Sequence, residues 1–135
     1  MAVRRVTPQE AKMLMEQGYV YVDVRSIPEF DKGHPEGAYN VPLLHMGPGG
    51  MAPNSDFGPV MEKNFAKDQK LIIGCKMGGR SAQASQWLEA NGYTNIVDQK
   101  AGFDGQPGNP GWAPAGLPVA STAAAERTYE QLKSR

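Results

Sequence analysis

The run Lys70-Leu71-Ile72-Ile73-Gly74 is apolar on both faces of an extended chain, the pattern of a strand buried inside a sheet. A second run, Tyr19 to Val24, is β-branched and aromatic and reads as another strand, closing in the charged residues Asp23 and Arg25. Short strands are also expected at Ala38 to Val41 and Thr94 to Asp98. Helical segments lie between them. Thr7, Pro8 and Glu10 stand where an N-cap, N1 and the N3 residue of a capping box would stand. Ala11, Leu14 and Met15 give that helix an apolar face, and Gly18 stops it. Pro28 to Lys32 reads as a short helical turn, and Val60, Met61, Asn64 and Phe65 as a short helix. Ser81 is placed to cap a helix reaching Asn91, with Ala84, Trp87 and Leu88 on its core face and Gly92 as its stop. Strands alternating with helices predict an α/β fold, a mainly parallel central sheet flanked by helices.

Two segments break this alternation. Leu43 to Gly58 is rich in Gly, Pro and Met and is expected to be a loop longer than an ordinary connection. Residues 101–118 hold five Gly and four Pro, so turns are expected there and no strand. From Thr122 to Lys133 strong helix formers predict a final, partly exposed helix. The chain thus divides into a domain at 1–120 and a C-terminal helical tail at 121–135. Its 135 residues suffice for one domain with a real core.

Composition narrows the function. Basic and acidic residues number 14 each, so the formal net charge is zero, a poor match for a nucleic-acid binder. One cysteine forms no internal disulfide, and with only His34 and His45 beside it a structural zinc site is not expected. No apolar stretch has the length of a signal peptide or a membrane span. A soluble cytoplasmic domain is the expectation.

The chemistry lies in Gly74-Cys75-Lys76-Met77-Gly78-Gly79-Arg80-Ser81. A buried strand delivers a cysteine to its carboxyl end, where ligands bind in open α/β sheets. Paired glycines let the backbone curl until successive N–H groups point inward as an anion nest. The following helix adds the positive end of its dipole, and Lys76 and Arg80 add full charges. An anion is stabilised there, and the thiolate is the nucleophilic form of cysteine. A buried structural cysteine is the bland alternative. Strand end, paired glycines and two flanking cations favour Cys75 as the nucleophile.

The segment Cys75-Lys76-Met77-Gly78-Gly79-Arg80-Ser81 resembles the C-x-x-G-x-R-S active-site loop of the rhodanese sulfurtransferases. Val22-Asp23-Val24-Arg25, Glu29-Phe30 and Gly33-His34-Pro35-Glu36-Gly37-Ala38-Tyr39-Asn40-Val41-Pro42 look like that family's N-terminal signature, and Gly116-Leu117-Pro118-Val119 like its C-terminal one. The insert from Gly47 to Phe57 is similar to that of single-domain plant sulfurtransferases. The resemblance implies a rhodanese-like fold and a ping-pong reaction. Cys75 would take the outer sulfur of a small anionic donor such as thiosulfate, and the persulfide would pass it to cyanide, a thiol or a thioredoxin-like protein. Lys76, Met77, Gly78, Gly79, Arg80 and Ser81 would bind substrate. Lys76 would attract the donor and Arg80 would brace the loop or touch the donor. The family uses no metal and no organic cofactor. One departure is visible: Asp104 to Gly111 separates Gly102-Phe103 from Trp112 and is expected to reshape the pocket rim.

Three other readings compete. Cell-cycle phosphatases share this kind of fold with a Cys-x5-Arg loop, whereas four residues separate Cys75 from Arg80, too few to hold a phosphoryl group well. Gly74, Gly79, Arg80 and Ser81 nearly match a P-loop, with Asn95-Ile96-Val97-Asp98 posing as a Walker B strand, but arginine does not replace the P-loop lysine. A non-enzymatic protein-binding or sulfur-sensing module is the third, and such modules often lose the cysteine. Blander roles suit the remaining candidates. Asp23 and Arg25 read as a buried ion pair or as loop-bracing hydrogen bonds, His34 as a hydrogen-bonded structural residue, Met46 and Met51 as packing, and Trp87 as core.

Overall fold

The computed structural model describes residues 3–135. From the N-terminus come β1 (Arg4–Val6), α1 (Pro8–Glu16), β2 (Val20–Asp23), α2 (Ile27–Lys32), β3 (His34–Pro35) and β4 (Tyr39–Asn40). Next are β5 (Leu44–Gly47), β6 (Gly50–Pro53), α3 (Phe57–Asn64), β7 (Leu71–Gly74) and α4 (Gly79–Ala90). The chain closes with β8 (Ile96–Gln99), β9 (Gly105–Gln106), β10 (Asn109–Pro110), β11 (Val119–Ala120) and α5 (Tyr129–Ser134), the last preceded by a 3-10 turn at Ala125–Arg127.

Five strands form the central sheet in the order β1-β8-β7-β2-β4, and every neighbouring pair is parallel. Leu71, Ile72 and Ile73 are fully buried in its middle strand. Their side chains alternate, as pleating demands. Leu71 and Ile73 join Val22, Ala84, Leu88, Phe57 and Met61 on the α3–α4 face. Ile72 joins Tyr21, Val97, Val6, Ala11 and Trp112 on the α1 face. Helices therefore cover both sides of an α/β sheet, as the apolar run at 71–73 requires. Among the described residues no helix is long and apolar enough to cross a membrane.

The capping box of α1 forms as the sequence predicts: Glu10 N–H donates to Thr7 Oγ1 at 3.1 Å and Thr7 N–H to Glu10 Oε1 at 2.9 Å. Gly18 follows the helix at φ +97°, a left-handed position that suits glycine. Other expectations need correction. Leu43 to Gly58 is no plain loop: β5 and β6 pair as an antiparallel hairpin with Met46 opposite Met51, and α3 starts already at Phe57. Gly and Pro hide its strand pattern, because both faces of the hairpin are largely exposed and carry no alternation. Residues 101–118 likewise contain the short antiparallel pair β9–β10, and β11 pairs with β3. The edge strand β1 carries too few residues to show a period. Trp87 is 36% exposed: Ala84 and Leu88 hold the inner face of α4, while the indole lies at the margin against Phe57 and the backbone of Gly58. The predicted helix at 122–133 forms only in its last part, and there Tyr129 and Leu132 enter the core.

Candidate active site

The site begins where β7 ends. Gly74 has no room for a side chain, because a Cβ there would run into the Tyr21 ring. Cys75 follows, 2% exposed, and its Sγ accepts backbone hydrogen bonds from Gly78 at 3.1 Å and Ser81 at 3.2 Å. Gly78 sits at φ +102° and is the N-cap of α4. Ser81, expected as that cap, is instead the third helical residue, its hydroxyl donating to Gly78 O at 3.2 Å. A glycine in the left-handed region turns the chain one residue earlier than a serine cap can. The sulfur thus lies at the positive end of a twelve-residue helix, within reach of two inward amides.

A second segment holds the loop from outside. Phe103 N–H donates to Cys75 O at 2.7 Å, Asp104 N–H to Lys76 O at 2.9 Å, and Gly105 N–H to the same oxygen at 3.4 Å. The Gln106 side-chain amide donates to Met77 O. Three successive carbonyls are held on one side, so in trans peptides the N–H groups of Lys76, Met77 and Gly78 face the other way. Contact is close enough to forbid side chains: a Cβ on Gly78 would meet Lys100 O, and one on Gly102 would meet Lys76 O. The excursion at 104–111, expected to alter the pocket rim, is the source of the Asp104, Gly105 and Gln106 bonds.

The charged residues separate into pairs. Arg80 donates to both oxygens of Glu29, at 2.7 and 3.0 Å, and Ser26 adds backbone and hydroxyl bonds to the same carboxylate. Burial works to raise the Glu29 pKa, but the Arg80 and Ser26 hydrogen bonds outweigh it and bring it to about 2. The same pairing raises the pKa of Arg80. Arg25 makes a buried ion pair with Asp23 at 2.8 Å, donates to Gly33 O at 2.6 Å and stacks over the Phe103 ring at 4.4 Å. The ion-pair reading of Asp23 and Arg25 therefore holds. His34 stacks on Phe30 with Nδ1 at 2.8 Å from Phe30 O, the bonded structural residue that the sequence suggests. Lys76 is half-exposed and lies 3.8 Å from Asp104, and Met77 points to solvent. A groove of about 230 Å³ opens beside the loop, lined by Arg25, Glu29, Lys32, Gly33, Lys76, Phe103 and Asp104.

Cys75, Gly78 and Ser81 are thus together, Gly79 opens the helix beneath them, and Lys76 and Met77 lie outward. Arg80 is turned to α2 and bound there. Sequence reasoning missed Glu29 as its partner, although Ser26-x-x-Glu29 is a capping-box pattern that marks an ordered carboxylate. It also missed Gln106, for which no sequence signal exists. Among the described residues no group of three His, Cys, Asp or Glu side chains is placed to hold a metal.

Comparison with known proteins bears on the fold and the family. The family description "Rhodanese-like domain" matches residues 7–105. Thiosulfate sulfurtransferase 16, chloroplastic, of Arabidopsis thaliana is 38% identical over 106 residues, 78% of this chain and 83% of that one. The thiosulfate sulfurtransferase GlpE of Haemophilus influenzae (strain 86-028NP) is 30% identical over 122 residues, 90% of this chain and 99% of that one. Against two other plant relatives the chain spans about half of their length, 51% in each case. Among solved structures, that of Rv0390 from M. tuberculosis superposes with a TM-score of 0.77 at 23% identity, over 90% of this chain and 100% of that one, a likeness of fold.

Proposed function

The chain belongs to the rhodanese-like domain family, and from that membership we propose that it is a sulfurtransferase working through a persulfide on Cys75. The observation that carries the reading is the pair of backbone N–H groups, from Gly78 and Ser81, directed at the Cys75 sulfur. An anion there is met by prearranged dipoles in a buried site, where they act most strongly. The Cys75 thiolate attacks the outer sulfur of thiosulfate. A bond forms between the two sulfurs, the bond to the sulfonate sulfur breaks, and sulfite leaves with that electron pair. The persulfide anion keeps one negative charge, and the same N–H groups hold it. Cyanide, or a thiolate from a small molecule or a thioredoxin-like protein, then attacks the terminal sulfur and returns Cys75 to the thiolate.

Lys76, half-exposed beside the groove, draws in the anionic donor, and Met77 forms the outer edge of the loop. Arg80 braces: with both its terminal nitrogens on Glu29, it ties α4 to α2 instead of reaching for the donor. No general base is needed once the thiolate exists.

Intact-protein mass spectrometry, without reductant, tests the proposal. Wild type treated with thiosulfate, or with mercaptopyruvate, is expected to gain one sulfur atom, and Cys75→Ser none. If no donor loads wild type, the enzymatic reading falls and the chain is a binding or sulfur-sensing module.

A further inference from the structure

Resting on the sulfurtransferase reading, we infer that Asp104 is a specificity residue: it partners Lys76 at the groove and so lowers the affinity of the Cys75 loop for compact dianions. The sequence presents two free cations beside the nucleophile, an arrangement that favours a small dianion. In the folded chain neither is free. Arg80 is bound to Glu29 through two hydrogen bonds, and Lys76 Nζ lies 3.8 Å from Asp104. Arg25, on the same groove, is matched by Asp23. Only Lys32 of the cations lining the groove or bracing its wall makes no ion pair among the described residues.

Asp104 is no drifting surface charge. Its own N–H donates to Lys76 O at 2.9 Å, and the flanking Phe103 and Gly105 bond to Cys75 O and Lys76 O at 2.7 and 3.4 Å. The backbone thus holds residue 104 beside Lys76, the residue next to the nucleophile. Both side chains are half-exposed, 50% for Lys76 and 51% for Asp104, so the pair adds little to stability. Its consequence is the potential at the mouth, where an exposed charge still acts within a Debye length. Interaction energy scales with the charge of the incoming ion. Asp104 therefore disfavours a dianion twice as strongly, in free energy, as a monoanion, and the preference moves toward monoanionic donors such as mercaptopyruvate.

The test is anion binding, free of any turnover. In the Cys75→Ser protein, with and without Asp104→Asn, amide NMR signals of Gly78 and Ser81 are followed during titration with thiosulfate and, separately, with mercaptopyruvate at low ionic strength. Asp104→Asn is expected to tighten mercaptopyruvate about twofold and thiosulfate about fourfold, the square expected for twice the charge. Both gains are expected to shrink as salt is raised. Lys76→Gln is expected to weaken thiosulfate more than mercaptopyruvate. Unchanged affinities in Asp104→Asn, or equal gains for the two anions, overturn the inference. Persulfide loading of the wild type is read apart from this titration, so failure of the sulfurtransferase reading and failure of the role of Asp104 give different results.

Discussion

At Glu29, burial and pairing pull in opposite directions, and pairing wins. Its carboxylate accepts from Arg80 and Ser26, and the pKa falls from an ordinary value of 4.5 to about 2. A carboxyl group whose folded value lies below its unfolded one adds stability above the unfolded value, and that stability is lost as pH falls through the folded one. Glu29→Gln is therefore expected to cost about 1–2 kcal/mol near neutral pH, a figure discounted for partial exposure. The gap from wild type is expected to close between pH 4.5 and about 2. Urea titrations of both proteins over that range decide it, and a gap constant down to pH 2 contradicts the pairing. Cys75 gives the complementary case, in which chemistry is lost without stability. Cys75→Ser keeps an acceptor where the Gly78 and Ser81 N–H groups point, so the fold is expected to stay within about 1 kcal/mol while sulfur transfer disappears. Residual transfer in that variant, measured as thiocyanate formed from thiosulfate and cyanide, would end the mechanism.

Between elements, the site depends on one loop holding another. Residues 103–106 bind the outward carbonyls of Cys75, Lys76 and Met77 and so set the direction of the Gly78 N–H that reaches the Cys75 sulfur. Gln106 is exposed, and its amide is the only side chain in that set. Gln106→Ala is expected to change stability by about 1 kcal/mol or less, the worth of one exposed hydrogen bond, yet to slow persulfide formation several-fold because the Met77–Gly78 peptide is released. Gln106→Glu, which keeps the length but cannot donate, is expected to be impaired as much. A stopped-flow loading rate equal to wild type in both variants would deny the clamp any part in catalysis. This level of organisation is only half legible in the sequence. The capping box at Thr7 and Glu10, the strand at 71–74 and the glycine turn before α4 are local, each specified within a few residues. The hairpins at 44–53 and 105–110 are local too, but their exposed, Gly- and Pro-rich strands carry no alternation from which to read them. Arg80 shows the same limit: its charge is visible in the sequence, but its engagement with Glu29, 51 residues away, is not.

Over the whole molecule, the sheet separates two apolar clusters, and the α3–α4 side is completed by the end of the chain. Tyr129 and Leu132 of α5 are buried there with Phe57, Val60 and Met61. Polar contacts fasten the same join: Asn54 Nδ2 lies 3.1 Å from the Tyr129 hydroxyl, and Asn64 Nδ2 donates to Leu132 O at 2.8 Å. Composition alone suggests a partly exposed appendage, since Ala and charged residues dominate 122–133. The helix forms instead only from Tyr129, after Thr128, where apolar residues three apart meet the core. If residues 121–135 are a tail beside a finished domain, truncating Leu132 changes little. If they finish the core, it leaves a cavity in a fully buried site. Leu132→Ala is expected to cost about 3 kcal/mol, in the range for buried leucine. Gln131→Ala, on the exposed side of the same helix, is expected to stay within about 0.5 kcal/mol. Paired urea unfolding curves separate the alternatives: equal midpoints make α5 an appendage, and a large loss for Leu132→Ala alone makes it part of the fold that positions Cys75.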